Sequence, residues 1–430
     1  MMIKKFIKEI GIFLLASGLS RFLPFLLTPL FTHYIPVKDM GALEVILSMY
    51  NIIIIFGMMQ MDASVQRYFY ENEDVVPASL LLVTLFSLIA MFFVSVFSLS
   101  LSMLMFNNGN YTYHIKITAI MILIVNVFTI STLVARYKKG AWSVALISSV
   151  QAISFALLAL YFIIYERMGS LGYITASLLS YVSPTIWALI LLRKDLKRKL
   201  TKHTFRRLWH FSWPQFPARI ASAFTQYGNR FIILLLFSQA SVGVFSLASK
   251  ISSLMFVLLS AFNLVWYPIL YKNAKEGKNT YEMDKIFNGV LFCLPFFTIA
   301  FYITSYLLYN YYIDPSYREG LTLSYFLIFS VSVLFVKEMV DAGIKIKEKV
   351  HYISIIYINS LIFFITSAFI LAKLWGLIGV AFAAVATNIF MTLYSWYISE
   401  SLMKMGFKLK YFIAFVAVMF AVTMVASRLS

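Results

Sequence analysis

Hydrophobic residues occur in blocks of about 20 residues separated by short polar stretches. A transmembrane helix needs about 20 mostly apolar residues, whereas strands of a membrane barrel alternate apolar and polar positions over about 10 residues. The blocks therefore predict an all-α integral membrane protein. Twelve spans are expected at about 11–33, 41–62, 77–105, 114–134, 142–165, 170–192, 211–237, 241–268, 286–312, 319–338, 351–372 and 375–399, and a thirteenth apolar stretch covers 411–427.

Composition and the distribution of charge support this prediction. Hydrophobic residues make up 61% of the 430 residues and charged residues only 13%, about half the charged fraction of a soluble domain. Of the 36 lysines and arginines, 26 fall in alternate connections between spans. Because cytoplasmic loops are the basic ones, the N-terminus is expected in the cytoplasm. The net charge of +18 therefore reflects membrane topology and contact with anionic lipids, and no nucleic-acid partner is expected.

The longest polar link divides six predicted helices from six. A Gly-x-x-Gly pattern begins the sixth span at Gly169 and the twelfth at Gly376, which suggests a duplication. Two six-helix halves of equal orientation form parallel repeats around a central site in some transporters. We therefore expect an N-terminal lobe at 1–192, a basic cytoplasmic linker at 193–210, a C-terminal lobe at 211–400, and a tail at 401–430 that carries the thirteenth stretch.

Four basic residues lie inside predicted spans, where each costs about 2.5–3.5 kcal/mol if it faces lipid. In the seventh span, polar residues recur at spacings of three and four, which places them on one helix face about 22 Å long. These patterns predict a cationic, water-accessible cavity whose lining includes Arg21, Arg219, Gln226, Arg230 and Lys250. The chain is therefore expected to move a substrate across the bilayer.

Two acidic residues, Glu44 and Asp62, share one face of the predicted second span with Ser48 and Asn51. They either pair with the cavity arginines or couple transport to H⁺ or Na⁺. No His-rich metal spacing, Gly-rich phosphate loop or serine nucleophile motif occurs. We therefore expect no catalytic residue, no metal site, no cofactor and no enzymatic activity.

Two groups of motifs resemble one family of membrane transporters. The first group is RFLPFLLTPLFT at 21–32, DMGALE at 39–44 and QRYFYE at 66–71. The second is FSWPQFP at 211–217, GNRFIIL at 228–234, VGVFSLASKIS at 242–252 and WYP at 266–268. The chain resembles the polysaccharide-export flippases, the Wzx-type translocases of O-antigen and capsule repeat units. Their superfamily, the multidrug/oligosaccharidyl-lipid/polysaccharide (MOP) exporters, also contains the lipid II flippases and the MATE drug exporters.

The resemblance implies a MATE-like, two-lobed fold of about twelve helices in the bacterial cytoplasmic (inner) membrane. It implies an oligosaccharide on undecaprenyl pyrophosphate as substrate, carried to the outer leaflet by alternating access for O-antigen (lipopolysaccharide) or capsule synthesis. A polysaccharide polymerase and a chain-length regulator would be partners. Arg21, Arg219 and Arg230 match positions where the family places cavity cations, whereas Asn229 stands where the family often has aspartate.

Two alternatives remain. A cation-coupled MATE-type drug exporter would place carboxylates toward its cationic substrates, and the intramembrane cations argue against it. A non-transporting membrane component of the polysaccharide assembly machinery would tolerate the loss of Arg219 and Arg230.

Overall fold

The structure, a computed structural model, describes residues 25–71, 74–196, 200–275, 280–347, 349 and 351–429. These residues form helices and connecting loops and contain no β-strand. The prediction of an all-α membrane protein is therefore confirmed. Contacts between residues divide the chain into two compact units, Met1–Gly228 and Asn229–Ser430.

The N-terminal unit is a bundle of helices joined by short turns. After helical residues 25–32, its helices are α1 (Val37–Met58), α2 (Met61–Tyr68), α3 (Val75–Val96), α4 (Ser98–Phe106), α5 (Thr112–Lys139), α6 (Ala141–Ala159), α7 (Gly169–Leu191), α8 (Lys202–Ser212) and α9 (Phe216–Tyr227). A π-helical turn, Leu160–Tyr165, follows α6, and a 3₁₀ turn, Trp213–Gln215, joins α8 to α9.

The C-terminal unit contains the remaining helices of the described residues. They are α10 (Asn229–Leu236), α11 (Gln239–Ser252), α12 (Leu254–Lys275), α13 (Thr280–Tyr311), α14 (Gly320–Val340), α15 (Ala342–Ile346), α16 (His351–Leu402) and α17 (Leu409–Leu429). The core of this unit is α14, in which 18 of the 21 residues are buried and which packs on α11, α13, α16 and α17.

Ten helical segments of the described residues are long and apolar enough to cross a membrane. One of them, α16, has 52 residues and a non-helical backbone at Gly376 (φ 64°, ψ −144°). At 1.5 Å per residue it is about 78 Å long, enough for two crossings of a hydrocarbon core about 30 Å thick. These two crossings correspond to the predicted eleventh and twelfth spans, and α17 corresponds to the thirteenth stretch. The total of twelve crossings stays a prediction, because most of the first predicted span lies outside the described residues.

A close approach of three helices fixes the centre of the N-terminal unit. A Cβ atom added to Gly57 on α1 would lie 2.4 Å from Nδ2 of Asn126 and 2.5 Å from Oγ of Ser87. The same amide group donates to the Ile54 carbonyl (3.1 Å) and to the Ser87 hydroxyl (2.9 Å). Glycine at position 57 therefore leaves room for this buried hydrogen-bonded contact between α1, α3 and α5. The contact gives the buried polar groups of Asn126 and Ser87 the hydrogen-bond partners that they need.

Candidate functional site

Helix α9 exposes a polar face that carries Arg219, Ser222 and Gln226. The adjacent face packs on α1, where the rings of Phe216 and Phe56 meet edge to face at 5.2 Å. Spacings of three and four residues place the polar side chains on one side of the helix. The structure therefore brings Arg219 and Gln226 together on an open face beside a membrane-length helix.

The predicted stripe from Gln215 to Arg230 does not follow one continuous helix, and that expectation was wrong. Gln215 lies in the 3₁₀ turn, α9 ends at Tyr227, and α10 begins at Asn229. Prolines 214 and 217 flank the first interruption, where their missing amide hydrogens remove helical hydrogen bonds. The second interruption is at Gly228, where the compact N-terminal unit also ends.

Arg230 and Lys250 belong to the C-terminal unit. The Arg230 guanidinium is half-buried and donates from Nη1 to Oδ1 of Asn229 at 2.8 Å. Lys250 is also half-buried and lies in the last turn of α11, a helix whose other residues are mostly buried. The fifth predicted cavity cation, Arg21, lies outside the described residues.

The two predicted acidic residues are on different helices. Glu44 is buried on α1, and the hydroxyl of Ser48 donates to its main-chain carbonyl at 2.7 Å. A left-handed turn at Met59 and Gln60 (φ 46° and 58°) ends α1, and Asp62 lies at the start of α2. The predicted common face of Glu44 and Asp62 is therefore wrong, because this turn interrupts the helix that the prediction required between them.

A buried network of four charged side chains in the C-terminal unit was missed by sequence reasoning. Lys337 contacts Asp341 at 2.7 Å and Glu338 at 3.2 Å, and Lys345 contacts Glu338 at 2.9 Å and Asp341 at 3.6 Å. Tyr267 of α12 donates to Glu338 at 2.5 Å and accepts from Lys345 at 2.9 Å. Lys337 is 2% exposed and Asp341 is fully buried. Two lysines thus balance two carboxylates inside the unit.

The sequence placed residues 337–349 in a basic cytoplasmic connection because four lysines occur there. In the structure α14 continues to Val340, and the short α15 behind it is mostly buried. Lys337, Asp341 and Lys345 follow one another at intervals of four residues, the spacing of ion pairs along a helix face. This alternation of sign was the available signal for a helix with paired charges.

The segment predicted as a linker, 193–210, contains part of an ordered helix. Helix α8 packs on α2 and α3 of the N-terminal unit, so the boundary between the compact units falls after it, at Gly228. At its start, the Thr201 and Thr204 hydroxyls donate to Asp74 at 2.7 and 2.8 Å. Burial alone would raise the pKa of Asp74, but these hydrogen bonds outweigh it and hold the pKa below its usual value.

A sequence profile of polysaccharide biosynthesis proteins matches residues 6–274, more than half of the chain. The chain belongs to this family. No curated protein sequence matches this chain.

Solved transporter structures have the same fold as this family member. A lipid II flippase in an inward closed conformation aligns with a TM-score of 0.73 and 16% identity, over 96% of this chain and 91% of its own. An inward-facing multidrug resistance MATE transporter of the MOP superfamily aligns with a TM-score of 0.70 and 14% identity, over 90% and 94%. A MATE transporter from Vibrio cholerae aligns with a TM-score of 0.62 and 12% identity, over 95% and 98%. Together with the family match, these folds confirm the resemblance to the MOP exporter superfamily and the MATE-like architecture.

Proposed function

We propose that this chain is a flippase that carries an oligosaccharide linked to undecaprenyl pyrophosphate from the inner to the outer leaflet of the bacterial cytoplasmic membrane. The polysaccharide biosynthesis family and the transporter fold support the proposal. Transport proceeds by alternating access, and the product enters O-antigen, capsule or a related surface polysaccharide.

The observation that carries the proposal is the exposed face of α9. Arg219 is three residues beyond Phe216, or about 4.5 Å along the helix, and Gln226 is ten residues beyond it, or about 15 Å. Phe216 contacts Phe56 in the last turn of a membrane-length helix. An arginine exposed along this helix is costly against lipid, and its cost falls when it contacts water or an anion.

The chemistry of the two exposed side chains fits the proposed cargo. A guanidinium group binds phosphate oxygens through two parallel hydrogen bonds, so Arg219 binds the pyrophosphate. The Gln226 amide, deeper along α9, both donates and accepts hydrogen bonds, which suits sugar hydroxyls. The proposal keeps Arg21, Arg230 and Lys250 as further cations for the substrate, as predicted from the sequence.

The proposal also includes coupling of transport to H⁺ or Na⁺, with Glu44 as the residue that binds the ion. Glu44 is a buried carboxylate on α1, the helix on which α9 packs. A buried carboxylate in a membrane protein is costly unless it is paired, protonated or bound to a cation. Substrate release on the outer leaflet would deliver the lipid-linked unit to a polymerase and a chain-length regulator.

The test is mass spectrometry of polyprenyl-linked oligosaccharides in cells depleted of this protein. We expect complete repeat units to accumulate in the inner leaflet and wild-type protein to clear them. Arg219→Ala should clear them poorly, and Arg219→Lys should recover only part of the activity because lysine lacks the guanidinium fork. The matched control is Arg318→Ala, which removes an exposed arginine from a loop of the other unit.

Two results would contradict the proposal. If depletion leaves lipid-linked oligosaccharides unchanged and makes the cells sensitive to cationic dyes, the protein exports cationic compounds. If depletion blocks polysaccharide assembly but Arg219→Ala combined with Arg230→Ala restores it fully, the protein supports the assembly machinery without carrying its substrate.

A further inference from the structure

A basic pocket of about 520 Å³ lies on the N-terminal unit, where α8 meets the end of α2. It is lined by Tyr68, His203, Arg206, Arg207, His210 and Phe211. Three of these side chains, at 203, 206 and 210, recur at spacings of three and four and so share one face of α8. The proposed path along α9 uses none of these residues.

The cations of this pocket are only partly neutralised by the protein. Arg207 forms an ion pair with Glu71 and lies 4.1 Å from the centre of the Tyr68 ring. Among the described residues, none forms a hydrogen bond or ion pair with the side chain of Arg206. Arg207 is therefore held in place by the protein, whereas Arg206 presents an uncompensated guanidinium to a ligand.

The pocket is built on a helix that is fixed from its other side. Ser64 of α2 donates to the Leu208 carbonyl at 2.9 Å and lies 2.5 Å from the Ser212 hydroxyl. The Thr201 and Thr204 hydroxyls bond Asp74 at the start of α8. Because both ends of α8 are anchored, its basic face keeps one orientation, which lowers the entropic cost of binding a ligand.

An apolar groove of about 550 Å³ is lined in part by residues that come shortly before those of this pocket in the sequence. Leu80, Leu123 and Leu189, from three membrane-length helices, line it together with Leu196 and Leu200. Leu200 is only three residues from His203 in the basic pocket. Leu196 and Leu200 are 40% and 44% exposed, so this link between spans presents apolar side chains where a hydrocarbon chain could cover them.

We propose that the basic pocket binds the phosphate head group of a membrane lipid, whose hydrocarbon chain lies in the apolar groove. Arginine supplies charge-assisted hydrogen bonds to phosphate, and the rings of the two histidines supply further N–H donors. The rings of Tyr68 and Phe211 flank these groups, as aromatic residues do at the membrane–water interface. The lipid is an anionic phospholipid of the bilayer, because a basic segment next to membrane-spanning helices attracts anionic lipids. The polyprenyl carrier lipid is the alternative that the second arm of the test examines.

Native mass spectrometry of the full chain released from nanodiscs tests this site. One arm uses phosphatidylcholine nanodiscs with a small fraction of phosphatidylglycerol. The other arm uses phosphatidylcholine nanodiscs in which undecaprenyl pyrophosphate replaces the phosphatidylglycerol. We expect wild-type protein to retain phosphatidylglycerol in the first arm. Arg206→Ala should weaken retention at least about tenfold, as expected for a lost charge-assisted bond.

The matched control is Lys202→Ala, which removes one positive charge from the same helix outside the pocket lining. A second variant, Leu200→Asp, should weaken retention through the groove while leaving the basic pocket intact. Loss in the phosphatidylglycerol arm alone assigns the site to bilayer phospholipid, and loss in the undecaprenyl arm alone assigns it to the carrier. Equal retention by wild type, Arg206→Ala and Lys202→Ala in both arms would overturn the proposal. Because the readout is binding, this result is independent of whether the chain flips its substrate.

Discussion

Replacing Lys337 with methionine removes one of four charges from the buried network of α14 and α15. Among the described residues, the one cation that Asp341 then keeps is Lys345, at 3.6 Å, which it shares with Glu338. At an effective dielectric constant of 20, the lost contact of 2.7 Å between Lys337 and Asp341 corresponds to an attraction of about 6 kcal/mol. The removed desolvation cost of the lysine offsets part of it. Breaking a buried ion pair by removing one partner costs about 3–5 kcal/mol, and this is the expected loss in the free energy of unfolding.

A double-mutant cycle separates this charge effect from lost packing. Asp341→Leu should cost about as much as Lys337→Met, because it leaves Lys337 buried beside Glu338 alone. In the double variant, the ion pair between Glu338 and Lys345 remains, together with its hydrogen bonds to Tyr267, and its two charges balance. The double variant should lie within about 2 kcal/mol of wild type, since apolar residues of similar volume often replace buried pairs at little cost.

The assay is unfolding of purified protein in mixed micelles with an increasing fraction of denaturing detergent, followed by tryptophan fluorescence. Two results would contradict the predicted interaction between Lys337 and Asp341. The first is wild-type stability in either single variant. The second is a double variant whose loss equals the sum of the two single losses, because additivity would mean that Lys337 and Asp341 do not interact.

Two further predictions concern the N-terminal unit. Gly57→Ala should lower the free energy of unfolding by about 1–3 kcal/mol through overpacking against Asn126. The control Gly289→Ala, where an added Cβ meets nothing within 4 Å, should be neutral or stabilising. Equal stability of the two variants in the same unfolding assay would contradict the close packing at Gly57. Because the pKa of Asp74 is lowered, its hydrogen bond to Thr201 stabilises the anchored α8 above about pH 4 and loses this contribution as the pH falls through the lowered pKa. The protection of the α8 amides against hydrogen exchange, corrected for the intrinsic exchange rate at each pH, should therefore fall in acid in the wild type and vary less with pH in Asp74→Asn. An identical pH profile of protection in both proteins would count against the anchor.

The positions of the membrane helices were readable from the sequence because lipid imposes a strong constraint on them. A spanning helix must be apolar over about 20 residues, and the apolar blocks at 114–134, 170–192 and 411–427 appear as helices Thr112–Lys139, Gly169–Leu191 and Leu409–Leu429. The same constraint does not determine where a helix is interrupted. The broken seventh span at Gly228 and the bend at Gly376 depend on local backbone choices that hydropathy does not encode.

Only part of the candidate site could be predicted from the sequence, for a related reason. Charge inside an apolar block is conspicuous, so Arg219 and Lys250 could be named from the sequence. Lys337 and Asp341 were assigned to a cytoplasmic connection because a cluster of lysines usually marks one. Whether such a cluster is solvated or paired inside the protein depends on partners distant in sequence, and Tyr267 is 70 residues upstream of Lys337. The amphipathic α8 was likewise hidden in a basic stretch, because its anchors on α2 and α3 come from elsewhere in the chain.

Reconstitution in liposomes tests whether this protein moves the lipid-linked oligosaccharide between leaflets and whether Arg219 is needed for that movement. Lipid-linked oligosaccharide that accumulates in depleted cells would be purified, labelled on its sugar and placed with the protein in liposomes, and its movement between leaflets followed by a membrane-impermeant quencher. We expect rapid exchange with wild type and with Arg318→Ala, and exchange near the protein-free rate with Arg219→Ala. Equal exchange by wild type and Arg219→Ala, or no exchange by wild type, would contradict it.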